Sequence, residues 1–137
     1  MSKPLKVTVK TLVESARREI KEYTAVEAVA LARDPKVLLV DIRDPRELAR
    51  DGRVPGALHA PRGMLEFWID PDSPYFKPVF GEDKTFVFFC AGGLRSALTT
   101  KTLQDMGLAP VAHIEGGFAA WKAAGGAVEA VPPKPDK

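Results

Sequence analysis

The 137-residue sequence contains one cysteine, Cys90, and two histidines, His59 and His113. A single cysteine excludes an internal disulfide framework, a cysteine-cluster zinc site and a two-cysteine redox motif. Two histidines among scattered carboxylates make no metal motif, so neither a metal nor another cofactor is expected. Charge of one sign is also scarce: 20 basic against 18 acidic side chains leave a net charge of +2. That balance argues against nucleic acid or an anionic membrane as a partner. Long apolar runs are missing as well. The strongest, Phe86 to Ala91, falls far short of the roughly 20 residues that span a bilayer. Met1 to Lys10 carries charges without the apolar centre of an export signal. A reduced, cytoplasmic setting is therefore expected.

Apolar residues at 45% and charged residues at 28% belong to the soluble globular range. At roughly 150 residues per domain the length allows one domain. The expected boundaries are a helical extension over 1–21, the domain over 22–126 and a flexible proline-rich tail over 127–137.

Leu12, Val13, Ala16 and Ile20 recur at helical spacing, which predicts an amphipathic N-terminal helix. Its basic face is solvated or packs on a second subunit, giving a homodimer. Thr24 and Glu27 form a capping box for a second helix. The apolar run from Val37 to Ile42 predicts a strand covered on both faces. Asp44-Pro45 opens a short helix that stops before Gly52, and a brief strand follows over Ala57 to Ala60. Seven of the 12 prolines fall between Pro35 and Pro78, so that stretch should be broken by turns. Met64, Leu65, Phe67 and Trp68 suggest one helical turn with a bulky face. Thr85 to Cys90 reads as a central strand, and a helix from about Leu94 follows. Leu94, Ala97, Leu98, Leu103 and Met106 are expected as its apolar side, with Gly107 as its stop. Val111 to Ile114 returns as a strand, and Gly116-Gly117 precedes a last helix anchored by Trp121. Alternating strands and helices predict an α/β fold with a parallel sheet.

Ligands in such sheets bind beyond the carboxyl ends of the strands. Cys90 ends its strand within a turn of a helix start, where free N–H groups and the helix dipole stabilise a thiolate. Gly92 and Gly93 let the backbone curl into an anion nest. Arg95 adds a planar cation suited to oxyanions. Cys90 is the candidate nucleophile, and Ala91, Gly92, Gly93, Leu94 and Arg95 form its binding loop.

Four ordered segments carry a family resemblance: Asp41-Ile-Arg43 with Glu47, Gly52-Arg-Val-Pro-Gly-Ala57, Cys90-Ala-Gly-Gly-Leu-Arg95, and Glu115-Gly-Gly-Phe-Ala-Ala-Trp121. Over roughly Thr24 to Gly126 the chain resembles a single-domain rhodanese. The resemblance implies a five-stranded parallel sheet flanked by helices on both faces, with the N-terminal helix as an addition. It implies a sulfurtransferase of the thiosulfate sulfurtransferase type. Cys90 would take sulfane sulfur from thiosulfate or a persulfide, hold it as a persulfide, and pass it to a thiol or cyanide in ping-pong fashion. A protein donor or acceptor, in a persulfide relay, and a non-catalytic anion-binding regulatory module are the alternatives. Cysteine phosphatases of related fold have five residues between cysteine and arginine; here there are four, Ala91 to Leu94.

Two positions depart from the family pattern, Arg53 and Ala91. A small neutral residue after the cysteine favours a persulfide or low-molecular-weight thiol over thiosulfate. Asp41 and Arg43 are expected to support the loop, with Arg43 held mainly by carboxylates such as Glu47. An unpaired buried Asp41 would be costly, so backbone N–H groups or Arg43 should satisfy it. His59, Arg62 and Trp68 are expected near the entrance, and His113 as a core histidine.

Overall fold

A computed structural model describes residues 2–133; Met1 and residues 134–137, the end of the expected tail, lie outside the described residues. The chain runs α1 (Val9–Glu19), β1 (Lys21–Tyr23), α2 (Ala25–Leu31), β2 (Val37–Asp41), α3 (Pro45–Asp51) and β3 (Leu58–His59). It continues with α4 (Leu65–Ile69), β4 (Thr85–Phe89), α5 (Leu94–Asp105), β5 (Val111–Ile114) and α6 (Gly117–Ala123). All five strands are parallel, in the order β1-β5-β4-β2-β3. β4 is central, and its side chains from Phe86 to Phe89 are at most 1% exposed. Each burial of that kind contributes roughly 1.5–3 kcal/mol.

Alternation along the strands sorts the core into two layers. Leu39, Val87, Phe89, Ala112 and Ile114 pack with Ala25 and Ala28 of α2 and Phe118 and Trp121 of α6. Val40, Phe86, Phe88, Cys90 and Val111 face the other way, toward Leu65 of α4 and Leu103 of α5. α1 lies against α5, with Val13 and Ala16 buried. Capping is local and readable: Thr24 with Glu27, and Asp44 with Glu47, each complete a reciprocal box.

One sequence expectation, the apolar side of α5, needs correction, and three features lie outside what the sequence suggested. β1 was not foreseen, because Lys-Glu-Tyr offers no apolar run; its edge position needs none. Of the expected apolar side of α5, Ala97 and Leu103 are buried, but Leu94 and Met106 are exposed, and Ser96, Thr99 and Thr100 are buried in their place. The start of the tail is anchored. Trp121 Nε1–H donates to Ala127 O (2.9 Å), and Arg53 and Glu129 exchange both backbone hydrogen bonds (2.8 and 2.9 Å) and an ion pair of 2.7 Å. In the proline-rich stretch, Leu65 is buried, but Phe67 stays half exposed and meets Tyr75 edge to face at 6.2 Å.

Candidate active site

β4 delivers Cys90 to the carboxyl edge of the sheet, and α5 begins at Leu94. Between them the chain turns through Gly93 at φ 96°, a conformation that favours glycine. The turn brings the Gly93 N–H to 3.1 Å and the Ser96 N–H to 3.4 Å from Cys90 Sγ, both as donors. Cys90 is buried, whereas Ala91, Gly92, Leu94 and Arg95 are exposed around it. The sulfur thus forms the floor of a shallow cradle, and the loop residues form its rim.

The start of α6 fixes the outer side of the loop. Phe118 N–H donates to Cys90 O (2.8 Å) and Ala119 N–H to Ala91 O (3.1 Å). Those carbonyls are held away from the sulfur, which leaves N–H groups to face it. Gly117, at φ 60°, makes the approach feasible: a Cβ there would stand 2.4 Å from Cys90 O and 2.9 Å from Ala91 C and O.

Arg95 and Glu47 make a two-pronged ion pair of 2.9 and 3.0 Å. The hydrogen bond from Arg95 holds the Glu47 carboxyl below its ordinary range, and the same bond raises Arg95. Glu47 therefore grips Arg95 and not Arg43, contrary to the sequence expectation. Arg43 is fully buried instead against Asp41 (2.8–3.2 Å) and donates to Gly52 O at 2.9 Å. The Arg43 backbone N–H also donates to Asp41, so that carboxylate is satisfied. Asp41 alternates with Val40 and Ile42, so the pair lies on the sheet face opposite to Cys90. Its link to the loop is indirect: the Arg43 guanidinium stacks 4.0 Å over the ring of Phe118, whose N–H holds Cys90 O.

The expected entrance residues are each tied elsewhere. His59 Nε2–H donates to Arg43 O at 2.7 Å. Arg62 pairs with Glu66 at 2.7 Å, and Lys77 lies over the Trp68 ring at 5.0 Å.

Behind the sulfur runs a polar chain that the sequence reading did not assemble. Ser96 Oγ lies 3.6 Å from Cys90 Sγ and 2.9 Å from His113 Nδ1. His113 Nε2 lies 2.7 Å from Glu22 Oε2, and Arg17 Nε donates to the same oxygen at 2.8 Å. Sheet register accounts for the line. His113 pairs with Phe88 on one side and with Glu22 on the other. Cys90 follows Phe88 by two residues, so all three side chains point to the same face, under α5. Burial holds His113 below its ordinary value and outweighs the hydrogen bond it donates to Glu22. Burial pushes Glu22 up, but the hydrogen bonds it accepts from Arg17 and His113 together leave it lowered. Alternation in β5 could have flagged His113, but only recognition of β1 would have supplied Glu22.

Among the described residues, no group of three or more His, Cys, Asp or Glu side chains is arranged to hold a metal ion, and no helix is long and apolar enough to cross a membrane.

The chain has relatives among known proteins. The chain is 34% identical over 105 residues to "Putative sulfurtransferase YtwF" of Bacillus subtilis, covering 76% of this chain and 92% of that one. It is 57% identical to a structure from Rhodopseudomonas palustris described as a protein of unknown function, possible tyrosine phosphatase; the TM-score is 0.91, with 94% and 99% of the chains covered. It resembles the polysulfide-sulfur transferase homodimer of Wolinella succinogenes at 28% identity and a TM-score of 0.68, over 89% of this chain and 87% of that one. The rhodanese-like domain matches residues 24–124, and the chain belongs to that family.

Proposed function

We propose that this protein is a sulfurtransferase that carries sulfane sulfur as a persulfide on Cys90. The observation behind this reading is the convergence of the Gly93 and Ser96 amides on one atom, Cys90 Sγ, at the floor of a Cys-to-Arg loop with four intervening residues. Amides aimed at a single sulfur favour a thiolate or persulfide anion there. The thiolate attacks the sulfane sulfur of the donor. One S–S bond forms, the donor's own bond to that sulfur breaks, and the leaving group (sulfite from thiosulfate, a thiolate from a persulfide) departs with the electron pair. A thiolate or cyanide then attacks the terminal sulfur, and the Cys90 thiolate returns.

Donor choice follows from charge at the rim. Arg95 is paired with Glu47 and Ala91 is neutral. A low-molecular-weight persulfide, with one negative charge, suits that rim better than dianionic thiosulfate. A persulfide presented by another protein meets the same chemistry, in a reducing compartment where thiol acceptors are abundant. The short loop and the engaged Arg95 fork disfavour a phosphate dianion.

Steady-state kinetics test the reading. Parallel double-reciprocal lines for donor and acceptor are expected, with higher kcat/KM for a persulfide of a small thiol than for thiosulfate and loss of turnover in Cys90→Ser. Hydrolysis of p-nitrophenyl phosphate without sulfur transfer would overturn it.

A further inference from the structure

We infer that His113 serves as the internal proton acceptor for the Cys90 thiol, reached through the Ser96 hydroxyl and oriented by Glu22. The inference rests on Cys90 being the reactive nucleophile; its test uses no sulfur transfer, so the two readings fail separately.

The hydrogen-bond directions follow from chemistry. An ionised carboxylate only accepts, so His113 Nε2, 2.7 Å from Glu22, carries a hydrogen. In the neutral ring Nδ1 is then a bare acceptor, and the Ser96 hydroxyl at 2.9 Å is its donor. Ser96 Oγ is left to accept from the Cys90 thiol at 3.6 Å. When the thiol ionises, each hydrogen moves one place along the line. The S–H bond breaks, Ser96 passes its own hydrogen to Nδ1 and receives the thiol's, and Nδ1–H forms. The product is a thiolate that accepts from Ser96 O–H and two amides, with an imidazolium pinned to Glu22. One proton has moved and none has been lost.

Cys90, Ser96 and His113 are each at most 1% exposed, so water does not compete for these bonds. The groups facing His113 come from several elements. Glu22 on β1 and Glu115 after β5 favour its cation, whereas Arg17 on α1 and burial disfavour it. A resting neutral ring is what an acceptor requires. A cavity of about 260 Å³ lined by Arg17, Glu22, Gly92, His113 and Glu115 opens beside the ring. Gly93 and Leu94 of the Cys90 loop line it too, so it offers the proton an exit to solvent beside the cradle. His113 acts through Ser96 and is therefore a positioning residue. A core histidine would also be satisfied on both nitrogens; what singles out His113 is that one of its partners, the Ser96 hydroxyl, is itself bonded to the Cys90 sulfur.

The test is the rate of Cys90 alkylation by iodoacetamide against pH, in folded wild type, His113→Asn, His113→Phe and Glu22→Gln. A proton shared inside the protein gives the wild type a pH-independent plateau around neutrality, because moving it from thiol to imidazole leaves the number of bound protons unchanged. In both His113 variants the rate should instead fall with falling pH across that range, and all proteins should converge in alkali where every thiol is ionised. Glu22→Gln should lower the plateau several-fold. Asparagine keeps a hydrogen-bonding group but cannot titrate, so wild-type behaviour in His113→Asn would reduce His113 to a structural part and overturn the proposal. If the variants do not fold, imidazole 15N shifts of the wild type decide. Alkylating Cys90 should move the His113 titration to lower pH, and an unmoved titration refutes the coupling.

Discussion

Gly117→Ala should damage the Cys90 loop through the backbone alone. The residue sits at φ 60°, and its missing Cβ faces Cys90 O at 2.4 Å and Ala91 C and O at 2.9 Å. Gly107 is the control: its φ is 102°, but nothing lies within 4 Å of its Cβ position. An L-residue in the left-handed region costs about 1–2 kcal/mol, the whole expected loss for Gly107→Ala. At Gly117 the methyl must also push the loop carbonyls aside, an overpacking cost of about 1–3 kcal/mol. The sum is about 2–5 kcal/mol, or a fall in Tm of roughly 6–20 °C for a chain of this size. Displacing Cys90 O and Ala91 O breaks the bonds to Phe118 and Ala119 that turn the loop amides inward. Chemical denaturation would measure stability, and iodoacetamide alkylation at pH 7 would measure the loop. Gly107→Ala should alkylate at the wild-type rate and Gly117→Ala more slowly. Equal stability losses with equal alkylation would refute the idea that α6 shapes the cradle.

Other perturbations separate the remaining parts. Glu47→Gln should alter stability by no more than about 1 kcal/mol, since Arg95 is substantially exposed. By freeing the Arg95 fork it should raise kcat/KM for thiosulfate several-fold relative to a small persulfide; an equal fall for both donors would show that the ion pair only braces the loop. Arg43→Met leaves the buried Asp41 carboxylate without its cation, and about 3–5 kcal/mol of stability should be lost in urea titration. His113 is held below its ordinary value by burial, so the native ring is neutral while the unfolded chain takes up a proton below about pH 6.5. Its contribution is complete above that pH and declines as pH falls toward the folded value. The slope is at most about 1.4 kcal/mol per pH unit. Thermal melts from pH 7 to 5 should show it, and His113→Asn should remove it.

Much of the architecture was legible because local rules and tertiary structure agree. The capping pairs Thr24–Glu27 and Asp44–Glu47, the apolar runs of β2 and β4 and the stop at Gly107 all hold. The place of Cys90 at a strand end, just before the Gly92-Gly93 turn, was legible. The partners of that site were not, because each depends on pairing between distant segments. Glu22 belongs to a three-residue strand with no hydrophobic signature, and it meets His113 only across the β1–β5 register. Glu47 lay near both arginines along the chain, and nothing local chose Arg95 over Arg43. Ser96 was hidden because an inward serine on α5 runs against the apolar pattern, yet its hydroxyl spans sulfur and imidazole.

The central claim is that Cys90 holds a transferable sulfur atom. Intact-protein mass spectrometry after incubation with a small-molecule persulfide, or with thiosulfate, reads it directly. A gain of one sulfur atom, discharged by cyanide and absent in Cys90→Ser, is expected. An unchanged mass in a folded protein whose cysteine is free, or a gain that persists in Cys90→Ser, would contradict it.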